Sequence, residues 1–154
     1  MQRREENEVD IDTITAEVVD ACLGIHRELG PGLLESVYEL VLASELERRG
    51  MKVARQVPVD IEFRGQRHAS AFRIDLLVDE RVILEIKSVE RLNNAHLKQL
   101  LTYLRLTHQP VGLLLNFAGA TMKEGIRRVV NDHRQPQRPS ASPRLRVKRE
   151  CGEE

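Results

Sequence analysis

The hydrophobic residues of the first fifty positions recur at intervals of three or four, which predicts helices with one apolar face. The face of the first helix is formed by Ile14, Val18, Cys22, Ile25 and Leu29. The stripe of the second helix is formed by Leu34, Val37, Val41 and Leu42. The segment Gly30-Pro31-Gly32 separates the two helices and Gly50 closes the second, because glycine and proline are the residues that end helices.

After the second helix the pattern becomes alternating, which predicts consecutive β-strands. The first strand covers 53–63, where Pro58 indicates an edge position or a bulge because proline cannot donate to a strand ladder. A second strand is predicted over 69–78 and a third over 82–88, joined by the link 79–81. A link this short predicts that these two strands form an antiparallel hairpin.

The register of the hairpin follows from its apolar residues, which have to face the core. On the two strands these residues are Phe72, Ile74, Leu76, Val78, Val82, Leu84 and Ile86. They share one face only if residue n pairs with residue 160 − n. This register places Asp75 opposite Glu85 and Arg73 opposite Lys87 on the other face, with directly opposed Cβ atoms about 5 Å apart.

The rest of the pattern predicts a helix over 94–107, a strand over 111–117 and a closing helix. The strand is continuously apolar, as expected of a strand buried on both faces. Thr121 and Glu124 form a capping-box pattern, which predicts the start of the last helix. The order αα-βββ-α-β-α, with a helical crossover between the third and fourth strands, predicts an α/β (α+β) domain. Its central sheet should be mixed and four-stranded, with helices on both faces.

Composition narrows the range of functions. The chain has 154 residues, with 24 Lys and Arg against 24 Asp and Glu, so its formal net charge is zero. This balance argues against a protein that coats nucleic acid by bulk charge. Three Phe, two Tyr and no Trp are too few for a base-stacking platform. The two cysteines lie far apart, which argues against a disulfide framework or a structural zinc site.

The chain divides into three segments by composition. Residues 1–12 form a flexible, acidic N-terminus, 13–131 a folded domain, and 132–154 a basic, proline-rich tail that we expect to be disordered. The tail is either solvated without function or a weak phosphate-binding arm. No apolar run reaches the length needed to cross a bilayer and no signal peptide is visible, so we expect a cytoplasmic protein with no membrane partner.

The facing acids of the hairpin are the strongest chemical signal. Two carboxylates this close repel each other unless a positive group lies between them, and a divalent cation is the simplest one. Mg²⁺ prefers oxygen ligands and is usually held by one or two carboxylates together with waters and substrate phosphate. Lys87 points to the same side as Glu85 and could orient or deprotonate an attacking water. The alternative is an ordinary hairpin with one solvated face.

The spacing of these residues resembles a known superfamily. Asp75 followed by Glu85-Ile86-Lys87, in a strand-rich segment after a helix, resembles the PD-(D/E)XK nucleases. Gly32-Leu-Leu-Glu35-Ser-Val-Tyr38 is a complete GxxExxY motif and resembles the GxxExxY protein family, which is placed within that superfamily. The resemblance covers about 14–131, although Arg73-Ile74 stands where a proline commonly precedes the first acid. It implies a restriction-endonuclease-like core and a metal-dependent phosphodiesterase that hydrolyses nucleic acid, DNA rather than RNA.

The resemblance also implies roles for individual residues. Asp75 and Glu85, with the backbone carbonyl of Ile86, would bind Mg²⁺, or alternatively Mn²⁺, and Lys87 would activate the water. Glu35 would assist from the second helix through a water on the metal. The alternative for Glu35 is an interaction with the positive end of that helix.

Further residues are implied to bind substrate. Gln99 and Tyr103 match a QxxxY motif of RecB-like members and lie one turn apart on the third helix. Tyr38, on the same helical face as Glu35, and Arg73 complete the predicted substrate-binding set. For Gln99 and Tyr103 the alternative is a surface glutamine and a half-buried tyrosine.

A second class of function fits the same sequence. The chain could be a non-catalytic module that keeps the nuclease fold and binds a nucleic acid or a protein. Two facing acids and a lysine favour the enzyme, because a binding module does not need them. Zero net charge and small size favour the module, or an enzyme that requires a homodimer or a partner protein to complete its substrate surface.

Overall fold

A computed structural model of the chain describes residues 9–132. The segment 1–8 and all of the predicted basic tail except Asp132 lie outside the described residues. The described elements are α1 (Ile11–Leu29), α2 (Glu35–Arg48), β1 (Val53–Phe63), β2 (Gln66–Val78), β3 (Val82–Lys87), α3 (Asn94–Thr107), β4 (Val111–Asn116), a 3₁₀ turn (Lys123–Gly125) and β5 (Ile126–Val130).

The five strands form one mixed sheet in the order β1-β2-β3-β4-β5. β3 and β4 run parallel, as the helical crossover predicts, whereas the other neighbouring pairs are antiparallel. β3 is therefore the central strand. The neighbouring β4 is buried along its whole length, so the middle of the sheet is dry.

The prediction of a closing helix and a four-stranded sheet is wrong. The capping-box pattern at Thr121 leads into a single 3₁₀ turn, and the chain then continues as the fifth strand, which pairs with β4. Gly125 permits this path of the chain, because a Cβ atom there would lie 2.0 Å from the carbonyl oxygen of Asn116. The β-branched residues that follow pair with the open edge of β4, where backbone groups need partners.

Two hydrophobic cores cover the two faces of the sheet. The larger core packs α1 and α2 against one face and includes Leu84 and Ile86 of β3. The smaller core packs α3 against the other face and includes Ile83. Side chains alternate along a strand, so Glu85 and Lys87 share the α3 side with Ile83.

The core assignments predicted for β2 and α2 need correction. Phe72 and Ile74 pack in the α3 core, whereas Leu76 and Val78 pack in the α1–α2 core, so the four do not share one face. The alternation is interrupted between them, beside Gln56, whose backbone has a left-handed φ of 49°. On α2, the predicted stripe fails at Leu34, which precedes the helix and is exposed; the buried residues are Tyr38, Glu39, Leu42, Ala43 and Leu46.

Candidate functional site

The β2–β3 hairpin has the register that its apolar residues predict. Leu76 pairs with Leu84 and Val78 with Val82, so each pair sums to 160, and residues 79–81 form the link. The ladder ends at Leu76, one pair before the acids. Arg73 and Lys87 lie beyond the end of this ladder, so they do not pair across it as the regular hairpin predicted.

Side chains replace the ladder where the two strands separate. The Asp75 carboxylate accepts a hydrogen bond from the backbone N–H of Ile86, with an Oδ2–N distance of 2.9 Å. The Glu85 carboxylate accepts one from the backbone N–H of Asp75, with an Oε1–N distance of 3.3 Å. Each acid therefore binds the backbone of the opposite strand. The charge of Asp75 acts on Glu85, so the two carboxyl groups lie close to each other.

Burial makes this pair of acids electrostatically unfavourable. Glu85 is only 5% exposed, and its pKa is raised to about 8, first by burial and then by the negative charge of Asp75. Burial is also the main cause of the raised pKa of Asp75. The Ile86 N–H opposes that rise, and the charge of Glu39 adds to it. The pair thus favours a shared proton or a bound cation over two uncompensated charges.

Lys87 provides the positive group nearest to these acids along β3. It is the last residue of the strand and is half-buried. Its charge lowers the pKa of both Asp75 and Glu85, although less than burial raises them. The lysine therefore acts on both carboxylates without neutralising them.

The donor set at this point of the sheet suits a hard divalent cation. Asp75 and Glu85 supply carboxylate oxygens, which Mg²⁺ and Mn²⁺ prefer, and each carboxylate is held towards the other's strand by a backbone N–H. Within residues 9–132, no group of three or more His, Cys, Asp or Glu side chains is arranged to hold a metal. A cation at this site would need further oxygen ligands from backbone, water or substrate.

Glu39, which the sequence analysis missed, is the third acid of the site. It is 5% exposed, its Oε2 accepts from Arg55 Nη2 at 3.1 Å, and its Oε1 accepts from Gln56 Nε2 at 2.5 Å. Its charge contributes to the raised pKa of Asp75. A signal was present in the sequence, because Glu39 lies in helical register with Leu42 and Leu46. A glutamate within a buried apolar stripe is rarely there for packing.

Glu35, which is predicted to assist through a water on the metal, lies at the start of α2 beside the end of β3. It is exposed, and its Oε1 accepts from the backbone N–H of Ser88 at 3.0 Å, directly after Lys87. The Ser88 hydroxyl in turn donates to the carbonyl of Leu33 at 3.3 Å. Glu35 thus ties the start of α2 to the end of β3, and its described contacts are with the chain that follows Lys87.

Tyr38 is fully buried and serves the packing of the Gly30–Leu34 turn. Its hydroxyl donates to the carbonyl of Gly30 and accepts from the N–H of Leu33 at 3.2 Å. Its ring stacks on Phe117, with ring centroids 4.3 Å apart. These contacts argue against the predicted substrate contact, because the hydroxyl is already used and the ring has no route to solvent.

Tyr103 of α3 lies near the acids on the side of the smaller core. Its ring stacks on Phe72 with centroids 4.1 Å apart and is half-buried. Its pKa is raised by burial first and then by the charges of Glu85 and Asp75, so those charges lie within electrostatic reach. Gln99, one helical turn earlier, and Arg73 are both exposed. Of these three residues, Tyr103 is the one that the electrostatics link to the acids.

A family model described as the PD-(D/E)XK nuclease superfamily matches residues 12–129. The chain belongs to this superfamily. The match covers most of the sequence and includes every residue of the site described above. No curated protein and no solved structure matches the chain. Within the part of the chain that the structure describes, none of the helices is long and apolar enough to cross a membrane.

Proposed function

We propose that the protein is a metal-dependent phosphodiesterase that hydrolyses nucleic acid at Asp75, Glu85 and Lys87. The observation that carries the proposal is the buried carboxyl group of Glu85 beside the half-buried one of Asp75, each bonded to the backbone of the other's strand and each with a raised pKa. Buried charges are unfavourable unless paired, and a non-catalytic module would not need this pair. Membership of a nuclease superfamily supports the same conclusion.

In this proposal Asp75, Glu85 and the backbone carbonyl of Ile86 hold Mg²⁺, or Mn²⁺ in its place. A bound divalent cation would lower the pKa of a water and offset negative charge on the phosphate. Lys87 holds the attacking water by hydrogen bonding and offers positive charge where the transition state becomes more negative. The two backbone N–H bonds to the carboxylates orient these side chains before any ligand arrives.

The two glutamates of α2 take different roles in the proposal. Glu39 lies beside Asp75 and contributes negative charge to the site. Glu35 keeps the chain after Lys87 in place through Ser88, instead of acting through a water on the metal. Gln99, Tyr103 and Arg73 form the substrate-facing rim, with the Tyr103 hydroxyl as the group that contacts a phosphate. DNA is the proposed substrate, ahead of RNA.

The experiment compares the wild-type protein with Lys87→Ala and Glu85→Ala on labelled DNA and RNA, with Mg²⁺, Mn²⁺ or Ca²⁺. We expect Mg²⁺ and Mn²⁺ to support cleavage, and Ca²⁺ to support binding only, because its looser coordination does not hold the water in line. Lys87→Ala should keep cation binding and lose turnover, whereas Glu85→Ala should lose both. The exposed Lys123→Ala serves as a control for the removal of a lysine.

Overall neutrality and small size favour the alternative, a non-catalytic binding module. That alternative replaces the enzyme if the wild-type protein binds Mn²⁺ no better than Glu85→Ala and cuts neither DNA nor RNA. A protein that binds the cation and nucleic acid but cuts neither substrate would also contradict the proposed activity.

A further inference from the structure

Two successive residues of β1, Arg55 and Gln56, both contact the same buried acid on α2. Arg55 Nη2 lies 3.1 Å from Glu39 Oε2, and Gln56 Nε2 lies 2.5 Å from Glu39 Oε1. In a regular strand, successive side chains point to opposite faces, so neighbours cannot reach one target. The left-handed backbone of Gln56, with φ of 49°, interrupts the strand and allows both contacts. This conformation is uncommon for a residue other than glycine.

The interruption occurs beside Asp75. The flanking pairs are Arg55 with Leu76 and Val57 with Ile74, so Gln56 is the residue across from Asp75 on the neighbouring strand. Its amide nitrogen lies 3.5 Å from Asp75 Oδ1, while the other oxygen, Oδ2, accepts the Ile86 N–H. Asp75 is therefore contacted on both carboxylate oxygens, by backbone on one side and by an amide on the other.

The chemistry of an amide suits this position. The NH₂ group has two hydrogens to donate, so it can serve Glu39 and Asp75 at once. It also carries no charge, whereas a lysine or arginine here would neutralise the acids and compete with a cation. A neutral donor orients Asp75 while leaving its charge available to a metal, whereas the charge of Glu39 is already paired with Arg55.

We propose that Gln56 is a positioning residue, which holds Asp75 in its cation-binding orientation through the hydrogen-bonded series Glu39–Gln56–Asp75. This inference rests on the proposed function and adds to it a residue that contacts neither cation nor substrate. Gln56 would raise the affinity for the cation by restricting the Asp75 side chain before binding.

Two substitutions distinguish the effect of the Gln56 side-chain amide from the effect of its backbone conformation. Gln56→Met keeps the side-chain length and the strained backbone and removes the donors, whereas Gln56→Gly removes the side chain and relaxes a positive φ. Cation affinity is read from the rise in melting temperature as Mn²⁺ is added to the full chain, and kcat and KM are measured for cleavage. Gln66→Met, at an exposed position on β2, is the matched control.

We expect both Gln56 variants to lose about 10- to 100-fold in Mn²⁺ affinity, the usual effect of removing a residue that orients a metal ligand. The melting temperature of the cation-free Gln56→Gly protein should fall less than that of Gln56→Met, because glycine relaxes the positive φ, and the KM for nucleic acid should stay unchanged while kcat falls. Gln56→Met with wild-type Mn²⁺ affinity would overturn the inference and leave the proposed function intact. A wild-type protein that neither binds Mn²⁺ nor cuts nucleic acid would overturn both.

Discussion

Replacing Glu85 by glutamine should stabilise the cation-free protein at alkaline pH. Burial and the neighbouring Asp75 raise the pKa of Glu85 from 4.5 to about 8 in the folded protein. Between these values the folded state binds more protons than the unfolded state, so the free energy of unfolding falls as the pH rises. The raised pKa of Asp75 acts in the same direction. Glutamine keeps the shape of the side chain and cannot ionise, so the Glu85→Gln variant should lose most of this pH dependence.

The size of the effect follows from the pKa displacement. Each unit of difference between the folded and unfolded pKa is worth about 1.4 kcal/mol, so ionising Glu85 should destabilise the fold by on the order of 5 kcal/mol above pH 8. This is a large part of the stability of a domain of this size. The carboxylates with lowered pKa values, such as Glu45, have the opposite dependence, but theirs lies below about pH 4.5.

The assay is urea unfolding in the presence of a chelator, at several values between about pH 5 and pH 9. The wild-type free energy of unfolding should decline between about pH 5 and pH 8, while Glu85→Gln should stay nearly flat and be the more stable protein at pH 8. Glu124→Gln, at an exposed position, is the control for loss of a glutamate and should follow the wild type. Added Mn²⁺ should stabilise the wild type and leave Glu85→Gln unchanged. A wild-type profile that is flat over this range would refute the reasoning.

Three further substitutions test the packing around the site. Tyr38→Phe removes a hydroxyl bonded to Gly30 and Leu33, so the free energy of unfolding should fall by about 1–3 kcal/mol. The Mn²⁺ affinity should stay unchanged, and an altered affinity would instead place Tyr38 in the site. Gly125→Ala brings a Cβ atom within 2.0 Å of the Asn116 carbonyl oxygen, so it should destabilise the protein by about 3 kcal/mol or more; near-wild-type stability by denaturation would contradict the contact. Tyr103→Phe keeps the stacked ring and should raise KM for nucleic acid at almost unchanged stability; an unchanged KM would limit Tyr103 to packing.

The register of the β2–β3 hairpin could be predicted because side chains alternate with a period of two. A shift by one residue would turn Leu76, Val78, Val82 and Leu84 to the wrong face, so burial alone selects one register. The parallel pairing of β3 and β4 could also be predicted, because a helix connects the two strands.

The end of the ladder could not be predicted from alternation. Whether Asp75 and Glu85 pair through their backbones or through their side chains depends on a competition between carboxylate and carbonyl acceptors for the same N–H groups. In the structure a carboxylate is the acceptor, because the Ile86 N–H donates to Asp75 Oδ2. The contacts of Glu39 were missed because its partners Arg55 and Gln56 are successive residues of β1, and regular alternation does not predict that both reach the same acid.

The separation of β2 from β3 connects the fold to the proposed chemistry. In an uninterrupted ladder, Asp75 and Glu85 would have their backbone groups satisfied by each other, and their carboxylates would project with nothing to orient them. Because the ladder stops at Leu76, each carboxylate instead accepts a backbone N–H and is held near the other in a buried setting. The same arrangement raises both pKa values, so the orientation of the acids and their need for a compensating cation have one structural cause. A substitution that restored regular pairing here should therefore stabilise the sheet and weaken cation binding together.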